Sequence, residues 1–337
     1  MLKTQLYFAG SAPQAVDEYL VKAGYNRLFS QLNDRSRIKR WMSYKDEHPG
    51  MKLFVDSGAF SAYTKGKEID LDDYIAYLNE YGRYFDVMVQ VDYIPGKSNV
   101  VQDRQVYLDA PRISWENFLH MRERLDKSLW DRFIPVFHEG EDFKWLENML
   151  EYRDANGNPL RYIGISPHTE TTTDRRLVFC KEAFRRIKKS SNPDVKTHGF
   201  GMTALNILQY IDFTSVDSTT WLKGAIYGTI LVHRHNKLAA MNVGERTTGA
   251  ADHFCWLGAD AKEEVCRLIE DAGFSTEKLR KIDPTRSSEE EEVLDDSVED
   301  ITNSIAMRQM FNAASMVRYL ETTEFVGLPK SARRIGL

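Results

Sequence analysis

The chain has 337 residues, 42% of them hydrophobic and 28% charged, with a formal net charge of -5. That length suits one large core, and a (β/α)₈ barrel of typically ~250 residues would leave a C-terminal appendage. No apolar run is long enough to span a bilayer, so no membrane partner is expected. Three cysteines (Cys180, Cys255 and Cys266) are too few and too irregularly spaced for a disulfide framework, which points to a reducing cytoplasm.

The N-terminal MLKTQLYFAG lacks the long apolar stretch of a secretory signal and runs straight into a β-rich segment. Strands are predicted at Gln5–Ala9, Asn26–Phe29, Leu53–Asp56, Val87–Asp92, Phe133–Phe137, Tyr162–Ile165, Val195–His198 and Phe213–Asp217. Helical patterns lie between most of them. Asp70–Tyr81 opens on a capping-type Asp and aligns Leu71, Tyr74, Ile75 and Leu78 on one face. Trp115, Phe118, Leu119 and Leu125 form a similar stripe after the candidate cap Ser114, and Phe143, Leu146 and Leu150 form another. Leu177, Cys180, Phe184 and Ile187 oppose Arg175, Arg185, Arg186, Lys188 and Lys189. Asp92 to Ser114 reads as a long loop, of the kind that barrels place at the catalytic mouth.

Beyond Thr220 the pattern changes. Ala225–Val232 reads as a strand or as the apolar start of the last barrel helix, Ala261–Ala272 as an amphipathic helix stopped by Gly273, and Asn303–Leu320 as a final helix before Lys330, Arg333 and Arg334. Residues 289–300 carry eight acids and no base, and without them the net charge would be +3. Such a run reads as a solvated, disordered linker on a mildly basic body. The expected organisation is therefore an α/β TIM barrel over residues 1–245, a helical extension over 246–282, an acidic linker over 283–300, and a C-terminal helix with a basic tail over 301–337. Eight strands favour the barrel over a doubly wound sheet.

Three strands end in aspartate: LFVDSG at Asp56, VMVQVD at Asp92 and FTSVDS at Asp217. The carboxyl ends of barrel strands converge on one mouth, where clustered acids repel one another and suffer desolvation unless function requires them. Helix capping is the plainer alternative for any one of them. Asp86 and Asp212 stand where strands begin, on the opposite rim, and read as structural. Ser57-Gly58-Ala59 follow Asp56 and would let a flat ligand approach the backbone, with Phe60 free to stack on it or to serve as a rim aromatic. Ile163-Gly164-Ile165 and His198-Gly199-Phe200-Gly201-Met202 are two further glycine-bearing strand ends. Both could offer backbone groups to a purine edge, or simply turn.

Together these residues resemble the tRNA-guanine transglycosylase (queuine/archaeosine) superfamily. Asp56-Ser57-Gly58-Ala59-Phe60-Ser61 is similar to its DSGGFQ-type motif, and it is the most specific fragment. Phe85–Asp92, Val136-Phe137-His138-Glu139-Gly140, Ile163-Gly164-Ile165, Gly199-Phe200-Gly201-Met202 and Val216-Asp217-Ser218 follow in the family's order, over roughly residues 50–220. The departures matter. The zinc pattern of the tRNA enzymes is absent, although His253, Cys255 and Cys266 lie near one another in sequence, so no cofactor is expected. His138-Glu139-Gly140 stands where the family has Gln-Gly. A short, zinc-less member with these substitutions looks most like the phage-type branch (DpdA-like) that modifies DNA.

The resemblance implies a pentosyltransferase that exchanges guanine in DNA for a free 7-deazaguanine (preQ0-like), in the cytoplasm of a bacterial host if phage-encoded. Asp217 would attack C1′ and form a glycosyl ester, as in retaining glycosidases. Asp56 would protonate the leaving guanine and deprotonate the incoming base, which needs a raised pKa. Asp92 would bind the amidine edge. Ser57, Gly58, His138 (or a supporting His at that position), Gly164, Ile165 and Gly199 would border the base, with Phe60 on one face and His198 or Met202 on the other. The target nucleotide would have to be everted or single-stranded. Arg37, Lys39 and Arg40 (with Arg35, Trp41 and Tyr44 beside them), Lys65, Lys67 and Lys97 are candidate phosphate contacts, or ordinary solvated surface. A homodimer is compatible with the sequence. The rival expectations are the same exchange on tRNA, a barrel glycoside hydrolase with Trp41 or Trp221 at its mouth, and a nucleic-acid-binding subunit without catalysis.

Overall fold

The computed structural model describes residues 2–95, 104–168, 171–235, 237–282 and 299–327. Nine short parallel strands form one sheet: β1 (Gln5–Ala9), β2 (Asn26–Ser30), β3 (Leu53–Asp56), β4 (Val87–Val89), β5 (Phe133–Ile134), β6 (Val136–His138), β7 (Tyr162–Ser166), β8 (Lys196–Gly199) and β9 (Ser215–Ser218). Their hydrogen-bonded order is β5-β4-β3-β2-β1-β9-β8-β7-β6. Only Pro135 separates β5 from β6, so the two ends of the sheet belong to one stretch of chain. The proline has no N–H to give to the ladder, but its carbonyl accepts from Gly164 N at 2.8 Å. The sheet is therefore a nearly closed barrel with eight strand positions, and the expected α/β, TIM-like architecture is the observed one. The strands fall close to their predicted places, although β4 ends at Val89, before Asp92.

Side-chain alternation sets what the barrel encloses. Tyr7, Ala9, Leu28, Phe54, Val87, Val89, Ile134, Val136 and Tyr162 pack as one interior cluster. The opposite face of each strand meets the helices. Phe29 packs edge-on to Trp41, Phe133 stacks on Phe118 at 5.3 Å, and Phe137 contacts Phe143 and Phe179. Both faces are thus buried, which fits the short apolar runs Leu53–Val55, Val87–Val89 and Phe133–Ile134. Asp70 caps the helix Leu71–Tyr81 as expected, accepting from Asp72 N and Asp73 N.

One expectation is corrected. The stretch Asp92 to Ser114 is not loop throughout, because a helix runs from Arg104 to Arg124 with Pro111 inside it. Ser114 is no cap. It lies within that helix, and its hydroxyl accepts from Tyr93 N at 2.9 Å, tying the helix to the chain leaving β4.

The contacts divide the chain into two compact units. One holds the barrel strands, within Lys3–Ser11 and Gly24–Ser218, and also takes the described residues after Glu324. The other comprises residues 1–2, Ala12–Ala23 and Thr219–Glu324, so this division falls earlier in the chain than position 245. Within the second unit the helix Thr220–Ile226 is followed by an antiparallel pair, Thr229–Arg234 and Lys237–Asn242. The ambiguous Ala225–Val232 segment is therefore helix end, turn and strand. The helices Ala259–Asp271 and Ile305–Thr322 lie near their predicted places. Buried Asn312 accepts from Leu231 N at 2.6 Å and donates to Trp221 O at 3.1 Å, so it knits helix and hairpin together. Most of the acidic run, and Lys330, Arg333 and Arg334, lie outside the described residues.

Candidate active site

The three strand-end acids stand at the carboxyl ends of β3, the β4 extension and β9. Alternation carries Phe54 and Asp56 to the interior face together, and likewise Ser215 and Asp217. The register pairs Ser30 with Asp56, and Tyr7 with Asp217, so both acids sit at the same end of the barrel. Asp92, just beyond β4, joins them electrostatically. Burial raises the Asp56 carboxyl to about 7, helped by the charges of Asp92 and Asp217 and opposed by backbone N–H groups at Gly58 and Ser57. Gly58 N donates to Asp56 Oδ2 at 3.2 Å. Gly58 needs its φ of +85°, and a Cβ there would strike Ser30 Oγ and Leu32.

Asp92 is held from two sides. Gln90 Nε2 donates to its Oδ1 at 2.6 Å, and His138 Nε2 lies 3.4 Å from its Oδ2. The other ring nitrogen of His138 meets Glu141 Oε1 at 3.1 Å. Burial alone would lower the imidazole pKa, but the two carboxylates outweigh it and raise it to about 10. His138 is thus an imidazolium at neutral pH. A cavity of about 440 Å³ opens beside Asp92, lined by Ala59, Ala62, Tyr63, Leu71, Val91 and Asn117 among others. This volume is in the range of small-molecule sites.

Asp217 accepts from Gly201 N at 2.9 Å and lies 3.2 Å from His198 Nε2, both contacts falling on Oδ1. His198 is fully buried, its ring 4.4 Å from Phe54 and 4.5 Å from Phe200. Burial holds its pKa below the ordinary value despite the opposing pull of Asp217.

The predicted residues do not all converge. Phe60 is 65% exposed beside the mouth and free to stack. Met202 is fully buried against Gly199 and offers no face to a ligand. Ile165 is fully buried too, and its carbonyl is taken by Phe200 N at 3.0 Å. The space at Gly164 serves the Phe200 ring, which a Cβ would overlap, and a Cβ at Gly199 would press on Met202 and Phe213. These two glycines therefore relieve internal packing. Ser57 is buried, and its carbonyl accepts from Gln31 Nε2.

The basic patch lies on the barrel's flank. The helix Gln31–Glu47 starts at the mouth, where Gln31 meets Ser57, and ends near the far rim, where Lys45 pairs with Asp86 at the foot of β4. Lys39 and Arg40 are more than two turns down, roughly 12 Å from the start at 1.5 Å per residue. Arg37 pairs with Asp34, and Lys39 lies over the Tyr81 ring. Arg35 pairs with Asp73, and Trp41 is fully buried. Lys65, just past the mouth helix Ala59–Thr64, reaches Asn33 Oδ1 at 2.8 Å, and Lys67 is exposed. Lys97 lies outside the described residues. Among the described residues, no three His, Cys, Asp or Glu side chains are grouped to hold a metal. His253 Nδ1 meets Cys255 Sγ at 2.9 Å, while Cys266 packs in the core of the second unit.

No protein-family model matches this chain, and no curated protein matches it. No helix among the described residues is long and apolar enough to cross a membrane.

Sequence reasoning missed Gln90, Glu141, Tyr162 and Ser215, and gave Phe200 no role of its own. Ser215 had a readable signal, since it precedes Asp217 by two residues and must share its face. Gln90 stands in the same relation to Asp92.

His138 supports a test by itself. Its folded-state pKa lies above the ordinary 6.5, so its contribution to stability is complete below pH 6.5 and is lost as pH rises through 10. With the ring side chain 32% exposed, solvent screening limits that contribution to about 2 kcal/mol. His138→Gln should therefore melt below the parent at pH 6, and the gap should close by pH 10 in thermal denaturation. A gap that does not vary with pH would contradict the ion-pair assignment.

Proposed function

We propose that this chain is a base-exchange transglycosylase that replaces guanine in DNA with a free 7-deazaguanine through a glycosyl-aspartate intermediate. The observation that carries the reading is the convergence of three carboxylates on one mouth, with Asp56 tuned to about 7. A carboxyl titrating there can both give and take a proton at neutral pH.

In this mechanism Asp217 attacks C1′ of an everted nucleotide through Oδ2. The C1′–N9 bond breaks, and Asp56 donates its proton to the departing guanine. The incoming base surrenders its N9 proton to Asp56, attacks C1′ and releases Asp217. Asp92 accepts from the amidine edge, and His138, cationic between Asp92 and Glu141, holds Asp92 in place from β6. Phe60 supplies an exposed ring for one face of the base.

The buried state of Trp41 and Trp221 removes the sugar-stacking surface that the glycoside-hydrolase reading required. The exchange is tested by incubating the protein with DNA and with tRNA, each with a panel of free 7-deazaguanines, and reading nucleosides by mass spectrometry. A modified nucleoside in DNA is the expected result. Modification of tRNA alone would transfer the reaction to the other polymer, and modification of neither would remove the proposal.

A further inference from the structure

Taking Asp217 as the nucleophile, we propose that Tyr162, Ser215 and His198 form a one-directional hydrogen-bond chain that positions Asp217 for attack. The register brings the members together. Gly164 of β7 pairs with His198 of β8, and His198 pairs with Ser215 of β9. Tyr162 and Ser215 face the barrel interior with the two acid-bearing strand ends above them. His198 and Ser215 are fully buried, and Tyr162 nearly so. The Tyr162 hydroxyl meets Ser215 Oγ, Ser215 Oγ meets His198 Nδ1, and His198 Nε2 meets Asp217 Oδ1.

The direction follows from the chemistry of the groups. An ionised carboxylate only accepts, so His198 must carry its proton on Nε2. The ring is neutral in its buried position, which leaves Nδ1 as a lone pair that must accept from the Ser215 hydroxyl. Ser215 oxygen then accepts from Tyr162. Each contact has one donor and one acceptor in this assignment. The reversed chain needs a protonated Asp217, which could not attack.

The consequence is a carboxylate with unlike oxygens. Oδ1 receives both His198 and the Gly201 N–H, whereas Oδ2 takes no hydrogen bond among the described residues. The Asp217 side chain keeps 12% exposure. His198 is therefore a positioning residue. It fixes which oxygen is free and where it points, as a buried partner fixes the tautomer and orientation of a catalytic imidazole.

The test has two independent parts. In the full-length protein labelled with ¹⁵N-histidine, the His198 ring at pH 7, assigned with His198→Gln, should show a protonated Nε2 and a bare Nδ1. An Nδ1–H tautomer or an imidazolium would overturn the proposal whatever the activity. In base exchange, His198→Phe should lower kcat about 100-fold with KM within about threefold. His198→Gln restores an N–H at the Nε2 position and should recover at least about tenfold of that loss. Ser215→Ala keeps the ring but removes the donor to Nδ1, and should cost about tenfold in kcat alone. Parental kcat in both His198→Phe and Ser215→Ala would overturn the proposal. If the parent exchanges no base on any polymer, the functional reading falls, while the ring tautomer still decides whether the chain exists.

Discussion

Asp217→Asn is expected to lower base exchange by about 10⁴-fold or more and to abolish any covalent adduct, while leaving the fold intact. An amide oxygen is a poor nucleophile toward C1′, and a covalent route has no substitute group at that position. Asn can still accept from Gly201 N through its carbonyl oxygen, so the local backbone should hold. The check pairs nucleoside mass spectrometry with intact-protein mass after denaturation, using circular dichroism to confirm folding. Undiminished exchange in Asp217→Asn would remove Asp217 as the nucleophile and with it the glycosyl-aspartate route.

Asp56→Asn is expected to trade activity for stability. The folded-state pKa of Asp56 is raised to about 7, above its ordinary 3.8. For a carboxyl the sign is clear: the folded state holds its proton longer than the unfolded state, so stability falls as pH rises from 3.8 to 7 and then levels. A shift of that size corresponds to about 4 kcal/mol, an order-of-magnitude figure. Asn carries no charge to desolvate, and it stands apart from the repulsion of Asp92 and Asp217. The variant should therefore be more stable than the parent at pH 8, by about 2–4 kcal/mol in urea denaturation, and should match it near pH 4. Its exchange rate should drop about 10³-fold, the usual scale for a proton-transfer group. In the parent, one limb of the pH–rate profile should fall near pH 7. Equal stability of the two proteins at pH 8 would show that the carboxyl is not strained by its surroundings.

The two expectations share a cause. The mouth gathers carboxylates whose burial and mutual repulsion raise the Asp56 pKa, an electrostatic cost typical of sites built for chemistry. Strand ends are where such a cost can be concentrated without breaking the core.

Much of this arrangement was legible in the sequence. Several strands were readable as short apolar runs, such as Leu53–Val55 and Val87–Val89, and the aspartates at strand ends were visible as the acids that would gather at one mouth. The number of runs favoured a closed sheet. Other features depend on contacts that local pattern does not encode. The stretch Asp92 to Ser114 read as loop, yet the helix Arg104–Arg124 occupies its second half and continues past Pro111. Gly164 and Gly199 looked like openings for a ligand, and instead accommodate Phe200, Met202 and Phe213. The basic run at Arg37–Arg40 had the composition of a phosphate site, but helix geometry carries it down the flank. His138 and Glu141 are three residues apart around the turn after β6, and only the fold brings Asp92 to the other side of that ring. Membership of the Gln14–Lys22 helix in the second unit is likewise a tertiary fact, fixed by what it packs against.

On the proposed reading, one mouth built on Asp56 and Asp217 exchanges bases in a polynucleotide. Guanine-for-guanine exchange probes this without knowledge of which 7-deazaguanine is the natural substrate. Radiolabelled free guanine, incubated with unlabelled DNA and the protein, should enter the polymer, and it should fail to enter with Asp217→Asn. Polymer that stays unlabelled, for DNA and tRNA alike, would contradict the account.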